Sequence, residues 1–583
     1  MRLRVGLGSC GLAAGAQKVI TEFKNQLAKS RIDINIEQTG CIGMCFNEPL
    51  VEVFGEDEQV FRYKNVTPEI VEEIVKKHLI KGRPVEKFLV SPEDMNFLLK
   101  QKRLVLQNCG KINPESIDEY VAKGGYQALR KCLRNLTPEK IIENIKIAGL
   151  KGRGGAGFPT WFKWQAAREA PGDSKYIICN ADEGDPGAFM DRSLLESDPH
   201  SIIEGMIIAG YAIGAQEGIF YVRAEYPLAV KRLETAISQA KDKNYLGKNI
   251  LGTGFSFDLI VKAGAGAFVC GEETALMASL EGKRGMPTLR PPFPAQKGYK
   301  NKPTNINNVE TYANIPWIIN KGCDTFAALG TASSKGTKVF ALAGKVKRGG
   351  LVEVPMGIPL RDIIFKIGGG ITNDKNIKGI QIGGPSGGCI PEYLLDTPVD
   401  YESIIKTGAI MGSGSLIVLD ETTCMVDMAR FFLDFTQKES CGKCSHCRLG
   451  TKRMLEILNR ICQGQGKEGD IELLEELAIK IKEGSLCGLG QSAPNPVLTT
   501  IKYFRHEYEK HIYEKKCPAK KCKNLLTYQI VQENCIGCTL CARKCPTKAI
   551  KGELRQAHVI DHSICIKCGN CADVCRAQAI EIE

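Results

Sequence analysis

Runs of cysteines at iron–sulfur spacing constrain this chain more than any other feature. Cys441-x2-Cys444-x2-Cys447 is followed at a distance by Cys487. The C-terminal end carries Cys535-x2-Cys538-x2-Cys541-x3-Cys545-Pro and Cys565-x2-Cys568-x2-Cys571-x3-Cys575. Thiolates at two-residue gaps on one loop reach one cubane, while the fourth ligand arrives from elsewhere. Twelve of the 25 cysteines are thereby assigned to three [4Fe–4S] clusters, so the chain is expected to move electrons one at a time. In two-cluster ferredoxins the fourth cysteine of each run ligates the other cluster. Cys535, Cys538, Cys541 and Cys575 are therefore expected on one cubane, and Cys565, Cys568, Cys571 and Cys545 on the other. A zinc ribbon would show two CxxC pairs instead of these triple repeats.

A length of 583 residues exceeds one core and predicts about four domains. Disulfide scaffolds are short and exported. This N-terminus, Met-Arg-Leu-Arg-Val-Gly-Leu, lacks the apolar core of a signal peptide. The apolar run nearest to a membrane span, Ile202–Val222, is broken by Glu204, Gln216 and Glu217. A reduced cytoplasm with metal-bound thiolates is the expectation. The net charge of +12 is dispersed and comes with no nucleic-acid-binding pattern. Basic runs at Lys146–Arg153 and Lys515–Lys523 read as solvated surface or as attraction for phosphates or an acidic redox partner.

Periodicity predicts a small α/β unit over residues 1–90, with strands near Leu3–Gly8, Ile32–Glu37 and Leu50–Phe54 and helices over Gln17–Ala28 and Thr67–Lys77. A glycine-punctuated α/β block follows over 110–335, then a β-rich segment over 336–420 and a helical segment over 421–512. A short linker, 513–523, leads to an internal duplication over 524–583.

Gly152-Arg153-Gly154-Gly155-Ala156-Gly157 holds more glycine than a packed helix or strand tolerates. Such a loop exposes backbone N–H groups to phosphate and lets a flat ring approach the main chain. The glycine pattern alone is weak, and no strand–loop–helix unit with a ribose acid surrounds it, so a Rossmann fold is unsupported. Three further segments are unusual: Cys179-Asn-Ala-Asp-Glu-Gly-Asp-Pro-Gly187, Ala263-Gly-Ala-Gly-Ala-Phe-Val-Cys-Gly-Glu-Glu-Thr274, and Lys302-Pro-Thr-Asn-Ile-Asn-Asn-Val-Glu-Thr311. Taken singly, carboxylates such as Glu183 also read as loop caps.

These four segments and the 441–487 cysteines resemble the NADH- and FMN-binding subunit of respiratory complex I. With the ferredoxin tail, the chain looks most like the flavin-bearing subunit of soluble NAD-dependent and electron-bifurcating hydrogenases. The resemblance implies a multidomain α/β chain: a thioredoxin-like N-terminal domain, a non-Rossmann FMN/NADH domain, a ubiquitin-like β-grasp domain, a helical [4Fe–4S] bundle and a two-cluster ferredoxin domain. It implies that Gly152, Arg153, Gly154, Gly155 and Lys163 line the FMN. Asn180, Asp182 and Glu183 fall on flavin and ribityl contacts, and Gly271, Glu272 and Glu273 on the nucleotide-facing helix start. Asn307 and Asn308 match phosphate-side amides, and Phe158 an aromatic stacking on the dinucleotide. Asp185 stands where the family often has Glu, beside the NADH ribose. The 441–487 cluster matches the first acceptor from FMN. The implied partners are NAD(H), a thioredoxin-like [2Fe–2S] subunit, a catalytic iron–sulfur subunit such as a hydrogenase, and free ferredoxin. A formate-linked partner and a non-catalytic electron-transfer scaffold remain as alternatives.

Two cysteine sets stay open. Cys517-x4-Cys522 suits a zinc loop. Bifurcating-type subunits carry a similar His-then-Cys-Pro-x3-Cys arrangement, which implies a structural zinc on Cys517, Cys522, His511 and Cys462, with His506 as rival nitrogen ligand; free thiols in a lysine-rich linker are the alternative. The N-terminal part resembles a thioredoxin-like [2Fe–2S] module whose second cysteine pair is Cys41 and Cys45, but Ser9-Cys10-Gly11 offers one cysteine where two are the rule. A degenerate docking module is the leading expectation there, against a cluster with an unusual fourth ligand. Cys109, Cys132, Cys179, Cys270, Cys323, Cys389 and Cys424 show no ligand spacing and read as small buried hydrophobes.

Overall fold

The computed structural model describes residues 1–55, 57 and 59–583. They divide into two compact units: one of Met1–Lys375, Gly379–Gly387 and Glu392–Val418, the other of Asn376–Lys378, Gly388–Pro391 and Leu419–Glu583.

The first unit opens with a four-stranded sheet of order β2-β1-β3-β4. Strand β1 (Arg2–Gly6) runs parallel to β2 (Asn35–Thr39) and antiparallel to β3 (Val51–Phe54), which pairs with β4 (Val60–Tyr63). Helix Ala16–Ser30 turns Val19, Phe23 and Leu27 onto Leu3, Val5 and Val53, the stripe its apolar spacing predicts. Strand β4 lies outside the strands expected from periodicity; it is a four-residue edge strand with only Tyr63 fully buried.

Next comes an all-parallel sheet of order β7-β6-β5-β8, built from β5 (Tyr176–Ala181), β6 (Glu217–Arg223), β7 (Asp258–Gly264) and β8 (Thr304–Asn308). The apolar run that came nearest to a membrane span forms helix Pro199–Ile213, buried at nearly every position, and then β6. Glu204 sits inside this core because it is fully satisfied. Its carboxylate accepts from Tyr120 Oη at 2.6 Å, Tyr126 N at 2.8 Å and Leu129 N at 3.0 Å. Among the described residues no helix is long and apolar enough to cross a membrane. The glycine loop joins helix Pro138–Ala148 to helix Thr160–Glu169. A loop between two helices is not the strand-to-helix turn of a Rossmann unit.

Strands β9 (Thr337–Gly344) and β10 (Gly350–Pro355) pair antiparallel. Further strands form at Ile377–Ile382 (β11), Gly388–Pro391 (β12) and Ser415–Asp420 (β13), the last parallel to β9. The second unit holds helices Met425–Lys438, Thr451–Cys462, Asp470–Gly484 and Asn495–Glu509 around Leu433, Met454, Leu458, Leu474 and Ile501. Its tail shows the duplication directly. Strand β14 (Tyr528–Ile530) pairs with β17 (Ile580–Ile582), and β15 (Ile550–Lys551) with β16 (Val559–Ile560). Short helices Leu540–Lys544 and Asn570–Asp573 occupy matching points of the two halves.

Candidate functional site

Close contacts hold the glycine loop and crowd out side chains at three of its glycines. A Cβ on Gly154 would lie 3.2 Å from the Cβ of Asn308, and one on Gly155, at φ +125°, would lie 3.2 Å from the backbone of Gly412. Tyr401 Oη donates to Gly152 O at 2.8 Å, and its ring blocks any side chain at Gly157. Lys151 pairs with Glu402 at 2.6 Å. The helix Tyr401–Thr407 thus clamps the loop from a segment about 250 residues away, which no local motif announces.

Arg153 turns its side chain inward. Its side chain is fully buried, and the guanidinium donates to three backbone carbonyls: Lys151 O at 2.9 Å, Lys335 O at 2.7 Å and Thr337 O at 3.0 Å. The cation braces the loop, and the backbone N–H of the same residue donates to Thr311 Oγ1 at 2.9 Å. Asn307 and Asn308 are also largely spent within the protein. Asn307 Oδ1 accepts from Trp164 Nε1 at 3.1 Å and Asn305 Nδ2 at 2.8 Å, while Asn308 caps helix Val309–Lys321 and donates to Asp191 Oδ2 at 2.5 Å.

The remaining expected residues converge on the C-terminal ends of β5 and β8. Asn180 Nδ2 donates to Gly271 O at 2.9 Å, tying β5 to the loop before helix Glu273–Leu280. Glu272 caps that helix, its carboxylate accepting from Thr274 N and Ala275 N at 3.0 Å. Lys163 bridges Ile306 O at 2.7 Å and Glu273 at 3.0 Å. Burial disfavours ionisation of Glu273, yet Lys163 and Arg290 overcome it and hold the carboxyl below its ordinary range. Asp182 is buried beside Gly271.

Glu183 lies at the start of helix Met190–Ser197, accepting from Asp191 N at 3.0 Å and Arg192 N at 3.1 Å. Burial still raises its pKa. Burial raises Asp191 further, with the charges of Glu183 and Glu310 adding to it. Asp185 accepts from Ser413 Oγ at 2.7 Å; burial pushes it to about 6 against that hydrogen bond. Phe158 stays exposed, its ring 5.8 Å from the equally exposed Phe162.

The cluster cysteines also assemble. Burial pushes the Cys447 thiol up to about 11, with Cys444, Cys487 and Cys441 all contributing as charged neighbours. A cavity in the tail is lined by Cys545, Cys565, Cys568 and Cys571, so the fourth cysteine of the first run faces the second run's triplet. Cys541 is raised by burial and by its neighbours Cys535 and Cys538. The sulfur of Cys575 accepts from Ala579 N at 3.3 Å, as Cys545 does from Ala549 N at 3.2 Å.

Residues 145–317 match the Nuo51 FMN-binding domain, 427–511 the NADH-ubiquinone oxidoreductase-F iron-sulfur binding region, and 534–580 a 4Fe-4S dicluster domain. The NADP-reducing hydrogenase subunit HndC of Solidesulfovibrio fructosivorans is 56% identical over 79% of this chain and 93% of its own length. An F-type subunit of NADH-quinone oxidoreductase from Rhizobium meliloti is 45% identical over 70% of this chain and 96% of its own. The chain belongs to the family of F-type NADH-quinone oxidoreductase subunits. A solved NAD+-reducing [NiFe]-hydrogenase superposes with a TM-score of 0.62 at 30% identity, over 88% of this chain and 84% of that one. The protein is accordingly an oxidoreductase subunit of the NADH dehydrogenase type, with an FMN-binding domain and 4Fe-4S regions.

Family membership leaves the linker cysteines to geometry. Cys424, His511, Cys517 and Cys522 are all buried, and their ligand atoms lie within 4.8 Å of one another. Cys424 Sγ is 3.4 Å from His511 Nε2 and 3.8 Å from Cys522 Sγ. The other ring nitrogen of His511 lies 2.7 Å from Glu507 O, and Cys517 Sγ accepts from Lys521 N at 3.3 Å. The donor set fits one tetrahedral ion with an oriented histidine. The structure groups Cys424, in place of the expected Cys462, with the other three. Cys462 lies beside Cys522 but outside the tight four, and Cys424, read as a buried hydrophobe, completes them. It caps helix Met425–Lys438, 87 residues before His511, so no spacing signal marks it. His506 is not part of the group.

At the N-terminus Cys10 Sγ lies 3.9 Å from Cys45 Sγ and 3.8 Å from Arg192 Nη2. Cys41 is buried beside both sulfurs, its own sulfur accepting from Gly43 N at 3.3 Å.

Proposed function

We propose that this protein exchanges a hydride between NAD(H) and FMN and passes single electrons to the Cys441/Cys444/Cys447/Cys487 cluster and the two tail clusters. The observation that carries this reading is the glycine loop, packed closely against Asn308 and Gly412 at Gly154 and Gly155 and braced from behind by Arg153, in a chain that also holds three cysteine sets at cubane spacing. Bound FMN would supply hydride exchange at its N5 and release of electrons one at a time.

The chain's own residues bind and orient. The backbone N–H groups of Gly154 and Gly155 would receive the flavin phosphate and ring edge, since those of Gly152 and Arg153 already donate to Phe158 O and Thr311 Oγ1; Lys163 and Asn180 fix the loops beside them. Phe158 and Phe162 offer exposed faces to the dinucleotide. Asp185, held by Ser413, would face its ribose, and no general acid or base is required. A zinc ion on Cys424, His511, Cys517 and Cys522 would fasten the linker to the helical domain. Cys565, Cys568, Cys571 and Cys545 would hold one tail cluster, and Cys535, Cys538, Cys541 and Cys575 the other.

By this reading the segments keep the boundaries expected from sequence: thioredoxin-like over 1–90, FMN/NAD(H)-binding over 110–335, β-grasp over 336–420, helical over 421–512 and ferredoxin-like over 524–583. The protein works in the cytoplasm, joined to a [2Fe–2S] subunit and a catalytic iron–sulfur subunit such as a hydrogenase, with the tail as exit wire or ferredoxin dock. Electron bifurcation would be a property of that assembly. Loading the isolated chain with FMN and titrating it anaerobically with NADH and NADPH tests the proposal. Flavin bleaching by one of them is expected, and a flavin indifferent to both would refute it.

A further inference from the structure

The three N-terminal sulfurs are too close together to be incidental. Cys10 and Cys45 meet at 3.9 Å, beyond an S–S bond length but within reach of one after rotation of either side chain. Both are half-buried, so a small reagent can reach them, whereas Cys41 is buried beneath. The loops that carry them are fixed. Ser9 N and Oγ donate to Glu196 at 2.8 and 2.6 Å, Cys41 N donates to Ser197 Oγ at 3.0 Å, and Arg232 Nη2 donates to Leu7 O at 3.0 Å. A Cβ on Gly40 would collide with Ser197 at 2.3 Å. The sulfurs are thus clamped onto helix Met190–Ser197, whose first residues hold Glu183 of the flavin segment. On the same helix, Arg192 faces the Cys10 sulfur, and a guanidinium in that position favours the nucleophilic thiolate.

We propose that Cys10 and Cys45 form a reversible dithiol–disulfide site that reacts with hydroperoxides, with Cys41 as an internal exchange partner. In the first step the Cys10 thiolate attacks the peroxide, the O–O bond breaks, and a sulfenic acid and an alcohol or water result. In the second step the Cys45 sulfur displaces water from the sulfenic sulfur, losing its proton and closing the disulfide. Two thiols lose two electrons in total, and the peroxide takes them up. Oxidation removes the sulfur that accepts from the Arg192 guanidinium, on the helix whose first backbone N–H groups hold Glu183. Attack of Cys41 on the bridge would give a Cys10–Cys41 or Cys41–Cys45 isomer.

The test uses the full chain, reduced anaerobically, freed of excess thiol and treated with one equivalent of hydrogen peroxide. Free thiols are then alkylated and peptides mapped by mass spectrometry. The expected result is a Cys10–Cys45 linked peptide in most molecules, with the Cys41 isomers as minor species, all reversed by dithiothreitol. The double variant Cys41→Ser/Cys45→Ser should instead accumulate a dimedone-reactive sulfenic acid at Cys10. Two results overturn the proposal: peptides from this region that remain unlinked, or iron at about fourteen atoms per chain with Cys10, Cys41 and Cys45 inert, which would mean a fourth, two-iron cluster.

Discussion

At the scale of single residues, identity and role come apart. Arg153 is visible in the sequence as a cation in a glycine loop, but a sequence cannot show that Lys151, Lys335 and Thr337 turn their carbonyls towards it. Replacement by Lys should therefore harm the loop, since a point ammonium cannot satisfy three spread carbonyls. FMN per chain is expected to fall several-fold in Arg153→Lys, checked by the flavin released on denaturation; full retention would show that the brace is dispensable. The zinc set makes the complementary case. Cys424→Ser should lose about one zinc per chain by elemental analysis, and Cys462→Ser should keep it. Asp185 gives a pH signature. Its pKa is raised in the folded chain to about 6, so the folded state holds the proton more tightly than the unfolded one. The sign follows: stability is greatest below the ordinary carboxylate pKa and declines as pH rises through about 6. Asp185→Asn should flatten that decline in thermal midpoints measured from pH 5 to 7.

At the scale of elements, much was legible because the signals are local. Alternation and 3.6-residue spacing place β1, β2, β3 and helix Ala16–Ser30 within a few residues of where they form. The cysteine triplets lie in segments that match iron-sulfur binding regions, a match their local spacing alone announces. What escaped was non-local: Tyr401, Ser413 and Cys424 reach their partners across 249, 228 and 87 residues. Helix Glu273–Leu280 offers a direct element-level prediction. Glu272→Ala removes the cap that accepts from Thr274 and Ala275, which should cost about 1 kcal/mol of local stability. Hydrogen exchange over residues 273–277 is expected to quicken by several-fold, with the rest of the parallel sheet unchanged. Gly155→Ala should be harsher, because a Cβ there meets the backbone of Gly412 at an unfavourable φ.

At the scale of the whole molecule, the chain places an FMN-binding domain and 4Fe-4S regions in one polypeptide. Family membership fixes the coarse activity, while the wire's order and its terminal partner follow from the proposal. Iron content is the first check on the wire: about twelve atoms per chain for three [4Fe–4S] clusters. Cys545→Ser and Cys575→Ser should each disturb a different tail cluster, the first that of Cys565–Cys571 and the second that of Cys535–Cys541. The most direct measurement is an anaerobic NADH titration of the FMN-loaded full chain, followed by flavin absorbance and by electron paramagnetic resonance of the clusters. The flavin is expected to bleach and reduced-cluster signals to appear in the same titration. A flavin that stays oxidised, or one that bleaches while every cluster remains silent, would contradict the proposed function.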